Sequence, residues 1–283
     1  MSFFKRYYFL ILFLPVVSGC HQQEIQYTDF YGNIQNLNYL ESKEILLFYP
    51  DKKYNRNELK RLLQTYDSAY LFAARISGQH PGMDSSYGEK LTIAVVPTTC
   101  GSGCGKLGMK GIEFTEEKFK KIFNLFVESE KHDHLYFYEL GRNFWFYDKA
   151  FTLSGQKENA HIRTGFAIFL RNVILYELGV DVEEINGKPY AQYMRDNYEI
   201  WGNFKKNNEQ NFLFDLLIRE NIHLTEKPIL WSMYWWSMYE SEGFSSKFLE
   251  FYLQEVKRQK VPDSIDDLVE NFTNSFENSR IRH

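Results

Sequence analysis

Tyr138-Glu139-Leu140-Gly141-Arg142-Asn143-Phe144-Trp145 is the stretch that decides which fold this 283-residue chain adopts. It reads as part of a helix over about 133–147. On such a helix residues four apart share a face, so Tyr138 and Arg142 stand one above the other. Glu139 and Arg142, three apart, are spaced to pair as ions. Tyr138, Glu139, Arg142 and Asn143 thus gather four polar groups on a segment that is otherwise apolar and aromatic.

Upstream, Glu44 to Tyr49 reads as a short strand. Asn57 to Ile76 reads as a helix, because Leu59, Leu62, Leu63, Tyr66, Tyr70 and Ala73 recur at helical spacing and Gly78 ends the pattern. Lys90 to Val96 is a second strand, stopped by Pro97. The glycine-rich run Cys100 to Gly111 leads into Ile112-Glu113-Phe114, expected to be an edge strand. Thr115 is placed to cap a helix, with Glu116 and Glu117 in its first turn. Downstream, helices are expected near 116–128, 160–178, 189–204, 209–221, 229–241, 245–259 and 264–276. Gly179 and Gly243 serve as stops, and Ser264 to Asp267 has the form of a capping box. The expected organisation is α+β, with an α/β front half over 44–128, a helical half over 129–283 and a cleft between them.

Strand, helix, strand, edge strand and two helices is also the order of elements in zinc peptidases of the gluzincin type, and the local sequence resembles theirs. Tyr138-Glu-Leu-Gly-Arg-Asn143 lies where these families, the enhancin-like mucin-degrading peptidases among them, carry His-Glu-Leu-Gly-His-Asn. Thr164-Gly-Phe-Ala167 lies where gluzincins carry Glu-Gly-x-Ala on the next helix. Leu230 to Glu240, followed by Gly243-Phe244, resembles their C-terminal helical region. The likeness covers the order of elements over 44–276 and is specific only in these short motifs.

The resemblance implies a zincin-like domain of a small sheet plus helices, followed by a helical subdomain. In the family, two histidines at i and i+4 and a carboxylate from the next helix hold zinc, and the glutamate beside the first histidine is the general base. This chain departs at all three ligand positions, which are Tyr138, Arg142 and Thr164. Arginine has no lone pair to offer a metal, and tyrosine would first have to lose a proton near pH 10. Zinc, and hence a cofactor, is not expected. What the resemblance then implies is a remodelled polar cleft lined by Tyr138, Arg142, Asn143 and Thr164, with Glu139 as a catalytic base only if activity survives. A shifted metal site would have to draw on His132, His134 and His161. The plainer reading leaves His132 and His134 at a helix start beside Asp133.

The N-terminus reads as a targeting segment. Lys5 and Arg6 precede the apolar run Tyr7 to Val17, which is too short to span a bilayer, where about 20 residues are needed. Val17-Ser18-Gly19-Cys20 resembles the bacterial lipobox, so residues 1–19 are expected to be removed and Cys20 to carry lipid. A signal peptide cut nearby, with Cys20 incidental, is the alternative. Residues 20–43, polar and rich in Gln, Asn and Tyr, are expected to be a tether. The chain is then anchored to a membrane on the extracytoplasmic side. His21 rather than Asp after Cys20 points to an outer membrane in a Gram-negative cell.

With 44% hydrophobic and 18% aromatic residues the chain can build a sizeable core. A net charge of −4 without a basic stripe excludes a nucleic-acid footprint. Lipidation of Cys20 leaves Cys100 and Cys104, which either pair or remain two buried thiols. Gly103 to Gly108 matches G-x-G-x-x-G, but no helix opens at it, so a dinucleotide site is not expected. No Gly-x-Ser-x-Gly elbow occurs. Glu183-Glu184 and Asp266-Asp267 read as solvated helix starts. Trp231, Trp235 and Tyr239 recur at i+4, and Phe144 and Trp145 follow the central motif; helical spacing makes them core, with sugar stacking by one or two as the alternative. Three functions are compatible with these residues. The leading one is a degenerate peptidase-like protein binding a peptide, glycopeptide or glycan. The others are an active hydrolase and a structural envelope protein.

Overall fold

The computed structural model describes residues 24–50, 54–83, 87–155, 159–207, 213, 216 and 226–283. The signal segment and Cys20 lie outside them. So does most of the helix expected over 209–221, of which Leu213 and Leu216 are helical and buried.

One six-stranded mixed sheet forms the front of the molecule. Its strands are β1 (Ile25–Thr28), β2 (Ile34–Glu41), β3 (Ile45–Tyr49), β4 (Leu91–Val96), β5 (Gly103–Gly105) and β6 (Ile112–Thr115), in the order β1-β2-β3-β4-β6-β5. β3, β4 and β6 run parallel, while β1, β2 and β5 pair antiparallel to their neighbours. Two expectations are corrected here. Residues 24–41, placed in a tether from sequence, form two strands of the sheet. Their Gln and Asn residues suit an antiparallel hairpin with one solvated face. The strand at Ile112 is not the edge: β6 lies between β4 and β5, and the glycine run supplies the edge strand itself.

Side chains alternate across the sheet with a period of two. Ile45, Leu47 and Tyr49 of β3, Leu91, Ile93 and Val95 of β4, and Ile112 and Phe114 of β6 face the helices. Phe48, Ala94 and Val96 face the other way and are covered by Tyr27 and Leu37. Every residue of β4 is buried, as a parallel strand covered on both faces requires. β1 and its turn lie over this second face, where the buried carboxylate of Glu113 accepts from Tyr27 Oη (2.9 Å), the Phe30 N–H (2.7 Å) and Thr99 Oγ1 (2.9 Å).

The described helices are α1 (Arg56–Ser77), α2 (Glu116–Ser129), α3 (Leu135–Asn143), α4 (Asp148–Phe151), α5 (Ala160–Glu177), α6 (Tyr190–Asn207), α7 (Lys227–Ser241), α8 (Ser246–Arg258) and α9 (Ile265–Arg282). A short hairpin, β7 (Glu184–Ile185) and β8 (Lys188–Pro189), precedes α6. Asn55 caps α1, whose end turns through Gly78 in the left-handed region. Thr115 caps α2, and the Ser264–Asp267 capping box opens α9.

α3 stops at Asn143, four residues short of the expected 147. The Arg142 carbonyl accepts from the N–H groups of Gly108 (3.1 Å) and Trp145 (3.2 Å), so the glycine run caps the helix and the aromatic run Phe144–Tyr147 turns into the core. α3 and α5 are antiparallel, as His134 meets Arg171, Gly141 meets Ala167 and Trp145 meets Phe166. Glycines permit the closest approaches: a Cβ on Gly141 would lie 2.8 Å from Ala167 Cα, and one on Gly165 would lie 2.4 Å from Trp231 Cβ.

One continuous core runs from Leu40 in the sheet to Phe272 in α9, so the front and helical halves share it. Phe144, Trp145, Trp231, Trp235 and Tyr239 are all buried within it, which removes them as sugar platforms. No described helix is long and apolar enough to cross a membrane.

Candidate functional site

The site is built where α3 lies along β5. The main-chain bonds from Lys106 N–H to Gly111 O (3.0 Å) and from Thr115 N–H to Ser102 O (3.1 Å) set the alternation of the β5–β6 pair. Gly103 and Gly105 therefore turn their main-chain groups away from β6, toward the open edge. At Gly105 both groups are taken by α3. The N–H donates to Glu139 Oε2 at 2.7 Å, and the carbonyl accepts from Arg142 Nε at 3.2 Å. Arg142 Nε also stands 3.5 Å from Glu139 Oε2. The two side chains together supply one acceptor and one donor, as a neighbouring strand would.

Glu139 is only 4% exposed. Burial pushes its carboxyl up to about 6, against the pull of the Arg142 guanidinium and the Gly105 N–H, which favour the charged form. No room remains between this carboxylate and the strand: a Cβ on Gly105 would lie 2.5 Å from Glu139 O and 3.1 Å from its Oε2. Asn143, fully buried, braces the same loop by donating from Nδ2 to Lys106 O (2.8 Å) and Gly111 O (3.0 Å).

The remaining predicted site residues behave differently. Tyr138, Arg142 and Thr164 are each partly exposed. Thr164 lies one turn before Ala167 on α5, toward the end of α3, where Trp145 meets Phe166. The five residues singled out from sequence thus divide. Glu139 and Asn143 are buried and serve the protein's own loop, while Tyr138, Arg142 and Thr164 reach the surface. As a donor set, phenol, guanidinium and hydroxyl do not fit a zinc ion.

The three nearby histidines do not gather around this site. His132 is buried against Phe126 and Tyr66, which pushes it down to about 4. His134 is also lowered to about 4, by burial first and then by Arg171, whose Nη1 lies 3.4 Å from its Nδ1. His161 is lowered by burial and by Lys227. Among the described residues no three His, Cys, Asp or Glu side chains stand together in a way that could hold a metal ion. Asp133 contributes at the helix start, accepting from the Leu135 N–H (2.8 Å) and bridging to Lys118 (2.5 Å).

Cys100 and Cys104 are joined by a disulfide across 5.4 Å between Cα atoms, which closes a small loop onto β5. Gly105 is the site residue that sequence reading missed. Its signal was the spacing of Gly103 and Gly105, two glycines on one side of a strand pressed against a helix.

No family model and no curated protein matches this chain. Among solved structures it is similar to a functionally unknown conserved protein from Bacillus anthracis str. Ames, with a TM-score of 0.58 at 9% identity, over 86% of this chain and 46% of that one. The chain thus spans less than half the length of that protein. At this identity the likeness concerns the α+β fold alone.

Proposed function

We propose that this chain is a lipid-anchored extracytoplasmic protein whose peptidase-like scaffold has given up cleavage. It binds a peptide, glycopeptide or glycan at the surface formed by α3, α5 and the β5 edge. The observation that carries the reading is the commitment of Glu139: the carboxylate at the base position is spent on the Gly105 N–H and the Arg142 guanidinium. A general base must instead reach the proton it removes, directly or through one water. Lipid on Cys20 would hold the domain at the membrane, since each buried methylene contributes about 0.8 kcal/mol.

The test is a hydrolysis assay on peptide and glycopeptide libraries with Glu139→Gln as control, together with peptide and glycan arrays on the full chain. Binding without turnover is the expected result. Hydrolysis abolished by Glu139→Gln, or stoichiometric zinc in the purified protein, would overturn it. The second reading, an active hydrolase, rests on the burial of Glu139, which pushes its carboxyl up to about 6, a range suited to acid–base work at neutral pH.

A further inference from the structure

A second surface lies at the other end of α5 from Thr164, about 18 Å away along the helix axis at 1.5 Å per residue. Here the C-terminal ends of α5 and α7 converge on four aromatic rings. Tyr176, Trp236, Tyr239 and Phe244 each stand within 4.8–6.4 Å of the other three, centroid to centroid. Phe244 is brought in by a left-handed backbone at φ 59°, a strained conformation for a bulky residue, and its N–H donates to Tyr239 O (2.9 Å). Trp236 and Tyr239 are buried, whereas Tyr176 is 51% exposed. The Tyr176 ring is thus fixed from within and open to solvent.

Two hydrogen-bond chains run from these rings to carboxylates. Tyr239 Oη donates to Glu177. Trp236 Nε1 donates to Tyr198 Oη (2.7 Å), which donates to Glu240 Oε1 (3.1 Å). Neither carboxylate has an ion-pair partner among the described residues; Arg195, one turn before Tyr198 on α6, pairs with neither, and Arg280 is taken by Glu242 (3.1 Å). A helix C-terminus is electronegative and favours a basic side chain in its last turn. α1, α6, α8 and α9 carry one there, but α5 and α7 carry none. Two helix ends and two carboxylates thus leave negative charge that the described residues do not balance, beside an exposed ring whose face is itself negative. We infer that this surface docks a partner protein through an arginine, its guanidinium lying on the Tyr176 ring and its charge met by Glu177 and Glu240. A guanidinium stacks on a ring and pairs with carboxylates in one plane, and is more weakly hydrated than an ammonium. Tyr198 and Leu178, 39% and 36% exposed, offer apolar surface to the arginine stem. The surface is separate from the α3–β5 site, and neither reading depends on the other.

The experiment is an NMR titration of the full chain, read at the Trp236 indole N–H and assigned with Trp236→Phe. The probes are end-blocked Gly-Ser peptides bearing three arginines, three lysines or three citrullines, and phosphatidylcholine vesicles. The arginine peptide should shift this resonance saturably and bind at least about five-fold tighter than the citrulline peptide, which lacks the charge behind both attractions. The lysine peptide should bind more weakly than the arginine one. Tyr176→Ala should weaken the arginine peptide about two- to five-fold, the range for an exposed cation–π contact. Glu240→Gln, an exposed change that keeps an acceptor for the Tyr198 hydroxyl, should weaken it about two-fold or more. Equal binding of the arginine and citrulline peptides, or of the arginine and lysine peptides, overturns the inference. Affinity unmoved by both variants does so too. A shift with vesicles but with no peptide overturns it in favour of a lipid headgroup, and no shift with any probe overturns it outright.

Discussion

The carboxylate of Glu139 accepts the main-chain N–H of Gly105 at 2.7 Å, in a space that one methyl group would close. Gly105→Ala should therefore destabilise the fold by about 1–3 kcal/mol, the usual cost of overpacking a tight contact. The control is Gly202→Ala in α6, where a Cβ would meet nothing within 4 Å. That change should be neutral or stabilise by up to about 1 kcal/mol through helix propensity. Urea denaturation of the two variants gives the comparison. Equal stabilities would mean that α3 does not hold β5 as closely as described.

The pH dependence of stability tests the same carboxylate. Glu139 titrates at about 6 in the folded chain, against 4.5 for an ordinary glutamate. Between those values the folded state binds more protons than the unfolded state, so this group makes stability fall as pH rises from 4.5 to 6. Above pH 6 its contribution is unfavourable by on the order of 2 kcal/mol. Gln at this position can still accept the Gly105 N–H but does not titrate. The difference in stability between Glu139→Gln and the parent chain should thus grow across pH 4.5–6 and then level off. Glu113, whose carboxyl burial also raises, contributes equally to both proteins and cancels. A difference that stays flat with pH would show that Glu139 titrates normally.

These contrasts show how far local sequence carries. The helices were legible because their signals are local: apolar spacing in α1, the caps at Thr115 and Ser264, the left-handed turn at Gly78. The α3 residues of the site were legible too, since i, i+3 and i+4 spacing fixes what shares a helix face. Their partner was not, because the pairing of Gly105 with Glu139 depends on the β5–β6 register, 34 residues away in sequence. The same holds for the end of α3, which is set by Gly108 rather than by any breaker in the aromatic run. β1 and β2 were hidden by polar composition. Their signal was the turn at Tyr31-Gly32-Asn33, with Gly32 at φ 86°, between two segments that bury only Tyr27 in β1 and Leu37, Asn38 and Leu40 in β2.

If residues 24–41 belong to the fold, altering them must cost stability in a way that a tether would not. Tyr27 is buried, and its hydroxyl donates to the buried Glu113 carboxylate at 2.9 Å. Tyr27→Phe should cost about 1.5–3 kcal/mol, the range for a hydrogen bond to a charged group. Deleting residues 21–33 should cost more, because Glu113 then keeps only Thr99 as a donor among the three described. Thermal unfolding measures both. An unchanged melting temperature after the deletion would return this segment to the role of a tether.

The disulfide gives a test that joins stability to the site. Cys100 and Cys104 close a loop so short that chain entropy assigns the bond only about 2 kcal/mol. Its position matters more than its length, because Cys104 lies in β5 next to Gly105, the residue that Glu139 and Arg142 hold. Loosening β5 should let water reach Glu139 and weaken the Gly105 N–H bond. Cys104→Ser should therefore cost about 2 kcal/mol alone. Combined with Glu139→Gln, it should depart from additivity by at least about 0.5 kcal/mol, as residues sharing a contact do. The double-mutant cycle is read by urea denaturation at pH 7, with Cys104→Ser paired with Gly202→Ala as the distant control. Additive energies in both pairs would mean that the disulfide stabilises the loop without steadying the carboxylate.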